Sequence, residues 1–211
     1  MRHSLIAVAL VVVSACGGGG SGPVTQGPPS AKSVAQNSSD FSGEQLCPES
    51  GTYDNYLTME QSKAPARYTT DKKTFDDLKA GGLNDSYLAV YADTTASCGQ
   101  FGTTTTGKVS RVYAFRFKDS ASAGAAYANQ GTQFRLSDSQ IATLKAAGAT
   151  VGQGAATGLG ANSIVVTFTG AGVSLYVAEW QNKEFVLALL LFDLPSTSGK
   201  TVAGKVNGRV S

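Results

Sequence analysis

Three cysteines and a single histidine bound the chemistry open to this chain. The histidine is His3, inside an N-terminal stretch that reads as a signal peptide. Without that stretch the chain has no histidine. That excludes Ser-His-Asp and Cys-His catalysis, histidine-ligated zinc and histidine pH switches. Of the cysteines, Cys47 and Cys98 form an even pair away from the N-terminus and do not make a CxxC motif. In an oxidising compartment such a pair reads as a disulfide. It would close a loop of about 50 residues, worth roughly 4 kcal/mol through the entropy of the unfolded chain.

Other motifs fall short of a chemistry. "STSGKT" (Ser196–Thr201) ends like a phosphate loop, but the glycine needed five residues before Gly199 is replaced by Leu194. "GQGAATGLG" has Thr157 where GxGxxG requires glycine, and it reads as a flexible loop. No SxxK is present, nor an acidic calcium loop. Asp76 and Asp77 lie on a predicted helix and read as solvated charges. Neither a metal site nor a cofactor is expected, and the chain is not expected to be an enzyme. The remaining candidates are aromatic. Tyr87 and Tyr91 alternate along one predicted strand, and Tyr113, Phe115 and Phe117 along the next, with Arg111 on the latter's aromatic face. Period-two aromatics are usually core. If they line a pocket instead, Tyr87, Tyr91 and Tyr113 form its walls and Arg111 its polar anchor.

The N-terminus is more explicit. Arg2 supplies a positive start, Leu5 to Val13 an apolar run, and Ser14 and Ala15 the small residues of a cleavage site. The run is too short to span a bilayer, which takes about 20 residues. "VSAC" (Val13–Cys16) closes it. That sequence resembles the lipobox of bacterial lipoproteins, with Val13 standing where leucine is commonest. The resemblance implies cleavage before Cys16 and a diacylglyceryl group on the Cys16 thiol. Two acyl chains anchor a protein stably where one does not.

These readings divide the chain into a signal peptide at 1–15, a lipidated cysteine with a disordered Gly/Ser/Pro tether at 16–46, and an extracytoplasmic domain at 47–211. The tether has few large apolar side chains and would span on the order of 30 Å. The domain is of ordinary single-domain size. Net charge is +2 with no basic stripe, so nucleic acid is not an expected partner. Charged residues make up 15%, against the usual ~25%. Ser, Thr and Gly fill the surface instead, as suits an exported protein.

The elements that must hold any site follow from periodicity. A helix is predicted over "TTDKKTFDDLKAGG", capped by Thr70 or Asp71 and ended by Gly81. "SYLAVYAD" and "KVSRVYAFRFK" alternate as strands. Two helices follow, one capped by Asp119 or Ser120 and one by a Ser137/Gln140 capping box. "NSIVVTFT", "VSLYVAEW" and "EFVLALLLF" make an antiparallel meander, the last apolar on both faces and therefore central. A last helix places Val202, Val206 and Val210 on one stripe. The fold class is α+β: a single antiparallel sheet of about five strands with helices packed on one face. Residues 119–193 resemble extracytoplasmic sensor and lipoprotein domains in their order of elements. The expectation is a lipid-anchored binding or sensing module at the cell membrane, facing outward. Its partners would be the membrane, through Cys16, and an unknown small ligand. The alternatives are a structural or chaperone-like lipoprotein holding an envelope protein, and a histidine-free carboxylate hydrolase.

Overall fold

A computed structural model of the chain describes residues 27–100, 107–129, 136–170 and 172–210. Cys16 and the predicted signal peptide lie outside these residues. The five expected strands are present: β2 (Leu83–Ala92), β3 (Val109–Phe117), β5 (Ser163–Gly170), β6 (Val173–Asn182) and β7 (Phe185–Phe192). Two more bring the sheet to seven, so the expected count of about five is too low. The additions are edge strands, β1 (Gln45–Leu46) and β4 (Thr150–Gln153). Their brevity explains the miss, because two or four residues cannot display an alternation. The order is β1-β2-β3-β7-β6-β5-β4, every pairing antiparallel. β7 lies at the centre, which is why its sequence is apolar at every position.

The central position of β7 also overturns the expectation of helices on one face. Leu187, Leu189 and Leu191 point into one core, and Val186 and Ala188 into another. A strand apolar on both faces needs a layer on each. On the first face lie α1 (Ala31–Ala35) and α6 (Ser196–Gly208). On the second lie α2 (Tyr53–Lys63), α3 (Pro65–Ala80) and α4 (Ser120–Ala128). A smaller cluster of Ile141, Ile164 and Val166 seats α5 (Asp138–Ala146) over β4 and β5. None of the described helices is long and apolar enough to cross a membrane.

Local chemistry sets the boundaries. Asp119 caps α4 by accepting from the Ser122 amide at 2.7 Å, and Ser137 with Gln140 forms the capping box of α5. Gly81 closes α3, but that helix starts at Pro65 rather than at Thr70. Pro65 has no amide hydrogen to lose in a first turn. The preceding helix, α2, was not legible: its face is marked by Tyr53, Tyr56, Leu57 and Glu60, only one of them aliphatic. The stripe of Val202, Val206 and Val210 is buried as expected.

The ordered fold begins well before the expected boundary at Cys47. Ala31, Val34 and Ala35 are fully buried, and Phe41 stacks on Tyr91 with 4.3 Å between ring centres. Val34 and Phe41 of the supposed tether are therefore core residues, and a five-residue helix is too short to announce itself. The glycine-rich passage is also tied down. It forms β4 and a tight turn at Gly154–Thr157, and the Ser163 hydroxyl bonds to the carbonyls of Gly154 and Gly160 at 2.9 and 2.7 Å.

Candidate functional site

The pleat of β2 and β3 separates the four residues expected to line one pocket. Tyr87 and Tyr91 point to the face covered by α1. Tyr113 points to the opposite face, under α2 and α3, and Arg111 follows it on alternate positions of the same strand. Neither pair lines an open ligand cavity. Tyr87 donates to the Gln36 side chain at 2.6 Å, and Tyr91 is covered by the Phe41 ring. The chain's own residues 28–41 occupy the space a ligand would take on that face.

On the other face, Arg111 and Tyr113 stand at the foot of a buried charged cluster. Arg111 is 5% exposed and donates to the Gln100 carbonyl. It lines a void of about 10 Å³ with Glu49, Tyr56 and Ser97, room for one water at most. Glu49 lies 3.6 Å from the Lys63 ammonium, and its second oxygen is buried without a partner. Above Tyr113, α2 brings Tyr56 and Glu60, and α3 brings Arg67 and Asp71. Tyr56 donates to Glu60 Oε1 at 3.4 Å. The Arg67 guanidinium lies 3.6 Å from that oxygen and 3.2 Å from Asp71 Oδ2. Glu60 is wholly buried, and Asp71 is nearly so.

Burial is the main force on these groups. It pushes the Glu60 carboxyl up to about 7, and the adjacent Asp71 charge and its hydrogen bond push the same way, against Arg67. Burial likewise raises the Tyr56 and Tyr113 phenols. A neutral Glu60 can donate to Asp71, giving its otherwise unpartnered Oε2 a role. Glu60, Arg67 and Asp71 carry no signal in the sequence that marks them as a cluster. Their spacing of seven and four residues is helical, but Ala64-Pro65 divides Glu60 on α2 from Arg67 and Asp71 on α3, so no single helix face displays them.

No family model and no curated protein matches this chain. Among solved structures it is similar to the extracellular domain of PknH from Mycobacterium tuberculosis. The TM-score is 0.46 and the identity 12%, over 87% of this chain and 97% of that one.

Cys47 and Cys98 are joined in a disulfide, which ties the chain ahead of α2 to the loop between β2 and β3. Both sulfurs lie near Glu49, the single grouping of potential metal ligands among the described residues. Bonded to each other, they offer no thiolate to an ion. The larger concavities are elsewhere, at one end of the sheet. One of about 480 Å³ is lined by Pro28, Arg116, Lys118, Asp119, Lys183 and Glu184. A second of about 510 Å³ shares Pro28, Lys183 and Glu184 and adds Arg209. None of Tyr87, Tyr91, Arg111 and Tyr113 lines either. Both open wide to solvent and present mixed charge, with the backbone of Pro28 and Pro29 held by Arg116.

Proposed function

We propose that this chain is a membrane-anchored extracytoplasmic lipoprotein that binds or senses a ligand without transforming it. The observation that carries the non-catalytic part is the closure of the Glu60–Asp71 pair. It is the arrangement among the described residues that most resembles an acid–base dyad, and a dyad must meet its substrate. Glu60 is sealed, Arg67 spans both carboxyls, and neither carboxyl lines the hollows at the sheet end. The mixed-charge hollows at the sheet end suit a polar ligand held by arginine, lysine and backbone groups. The Cys47–Cys98 disulfide supports an oxidising compartment. The anchor rests on "VSAC".

Replacing Cys16 tests the anchor. Cys16→Ser moves the protein out of the membrane fraction or blocks its processing, and intact mass of the wild type shows Cys16 as the N-terminus with a diacylglyceryl adduct. An unmodified chain cleaved elsewhere sinks the anchor. Thermal-shift and native-mass screening against envelope lipids, glycans and peptides tests the binding part. Arg116→Ala and Lys183→Ala then abolish any hit at the sheet end. Turnover of a substrate would instead bring back the carboxylate hydrolase.

A second reading, a lipoprotein that holds an envelope protein, is favoured by one surface. Phe168, Leu175 and Phe192 form a half-buried cross-strand row, and Val173, on the same face, is 45% exposed. Apolar surface of this kind fits a protein partner better than a small ligand. Val173→Asp removes that partner in a pull-down while leaving small-ligand binding unchanged.

A further inference from the structure

The segment 28–41 is bound as a ligand would be bound. It adds no strand to the sheet: the first pairing of the chain begins at Gln45. Its attachments are made one at a time by side chains of the groove. Arg116 holds the carbonyls of Pro28 and Pro29, and Asp85 accepts from the Ala31 amide at 2.8 Å. Arg209 donates to the Val34 carbonyl at 2.8 Å and pairs with Asp40 at 2.6 Å. Between these bonds, Ala31, Val34 and Ala35 fill a floor of small residues that includes Ala89 and Ala114.

Only a short turn, 42–44, joins this segment to the sheet. Gly43 sits there with φ +82°, with nothing within 4 Å of where its side chain would be, so the turn rests on a residue free to adopt other backbone angles. The closed turn also carries a defect. One carboxylate oxygen of Glu44 is buried with no partner, and burial raises this carboxyl, with the like charge of Asp93 adding to the effect and the Ser110 hydroxyl and Lys108 only partly opposing it. Straightening the turn returns that oxygen to water.

We propose that the groove over β2 and β3 takes the 28–41 segment of a second copy of this chain, so that two copies exchange straps. Every strap contact formed within one copy is formed again between two, so the contact energies cancel. What remains is the entropy of association, set against release of the Glu44 defect. Short hinges favour such exchange and longer ones suppress it. The exchange needs only strap and hinge, so it stands or falls independently of the anchor at Cys16.

The test uses the full chain carrying Cys16→Ser. Incubated at high concentration and sized by light scattering, it gives a dimer that reverts slowly on dilution. Excess synthetic peptide of residues 27–42 converts that dimer into monomers carrying one peptide each, read by native mass spectrometry. Inserting four Gly/Ser residues after Gly43 lowers the dimer fraction at least tenfold, and circular dichroism confirms that this variant is folded. Peptide capture by the unaltered chain tests the groove even if the insertion variant does not fold. A chain that stays monomeric and captures no peptide overturns the proposal. So does a dimer indifferent to both peptide and insertion, which would pair through another face.

Discussion

Glu60 and Asp76 show how little a residue's type says about its state. Lys72–Asp76 and Lys73–Asp77 are ion pairs four apart on α3, exposed and solvated as the sequence suggests. Arg67–Asp71 has the same spacing on the same helix, yet Asp71 is buried because α2 folds back over it. No local pattern distinguishes them; the difference is made by tertiary packing. The consequence is a pH signature. The Glu60 carboxyl is raised from 4.5 to about 7, so its proton is bound more tightly in the folded chain. Its contribution is full below the unfolded value near 4.5 and is lost as pH rises through about 7. Urea unfolding at pH 5 and pH 8 should show the wild type losing on the order of 2 kcal/mol more than Glu60→Gln across that interval. Equal losses would mean that the group is not buried as described. Asp93 and Asp119 act in the opposite sense. Backbone bonds from Lys108 and Ser122 hold them below 3.8, so their contribution is lost only as pH falls beneath that value.

At the scale of elements, alternation and capping were legible and short or mixed segments were not. β2, β3, β5 and β6 each alternate over eight or more residues, β7 is an unbroken apolar run of eight, and the caps of α4 and α5 were readable from Asp119, Ser137 and Gln140. α1 has five residues and β1 two, below the length at which a period exists. The motif "STSGKT" shows a glycine with a different purpose. A Cβ on Gly199 would lie 2.3 Å from the Tyr176 ring, so the glycine lets α6 lie flat on β6. Gly199→Ala should cost about 1–3 kcal/mol by overpacking, measured by urea unfolding. Gly204→Ala, where nothing lies within 4 Å, should stabilise the same helix by about 1 kcal/mol. If both changes are neutral, α6 is not packed as described.

For the whole molecule, the fold class was legible and the layering was not. An apolar β7 already required cover on both sides, but which helices provide it depends on strand order, which no single element encodes. The candidate site was legible in Arg111 and Tyr113 alone, because their partners come from helices remote in sequence. The disulfide was inferable from cysteine count. Replacing Cys47 and Cys98 together with alanine should lower stability by about 2–4 kcal/mol, seen as a lower melting temperature without loss of sheet by circular dichroism. An unchanged melting temperature would mean that the bridge does not constrain the unfolded chain.

The strap and the disulfide together also set how the molecule responds to force. A pull on the chain ahead of Gly27 first loads the Arg116 bonds to Pro28 and Pro29, then Asp85, Arg209 and Tyr87, then the Phe41–Tyr91 stack, and last the two-residue pairing of β1 with β2. These attachments are strung along the segment, so they yield in sequence at low load instead of together at high load. Peeling stops at Cys47, where a covalent bond to Cys98 carries the tension directly into the β2–β3 loop. The slack released before that stop is on the order of 60 Å of extended chain. The domain thus combines a soft extensible element with a hard limit, and Tyr91, fully buried in the folded chain, becomes accessible only while the soft element is drawn out.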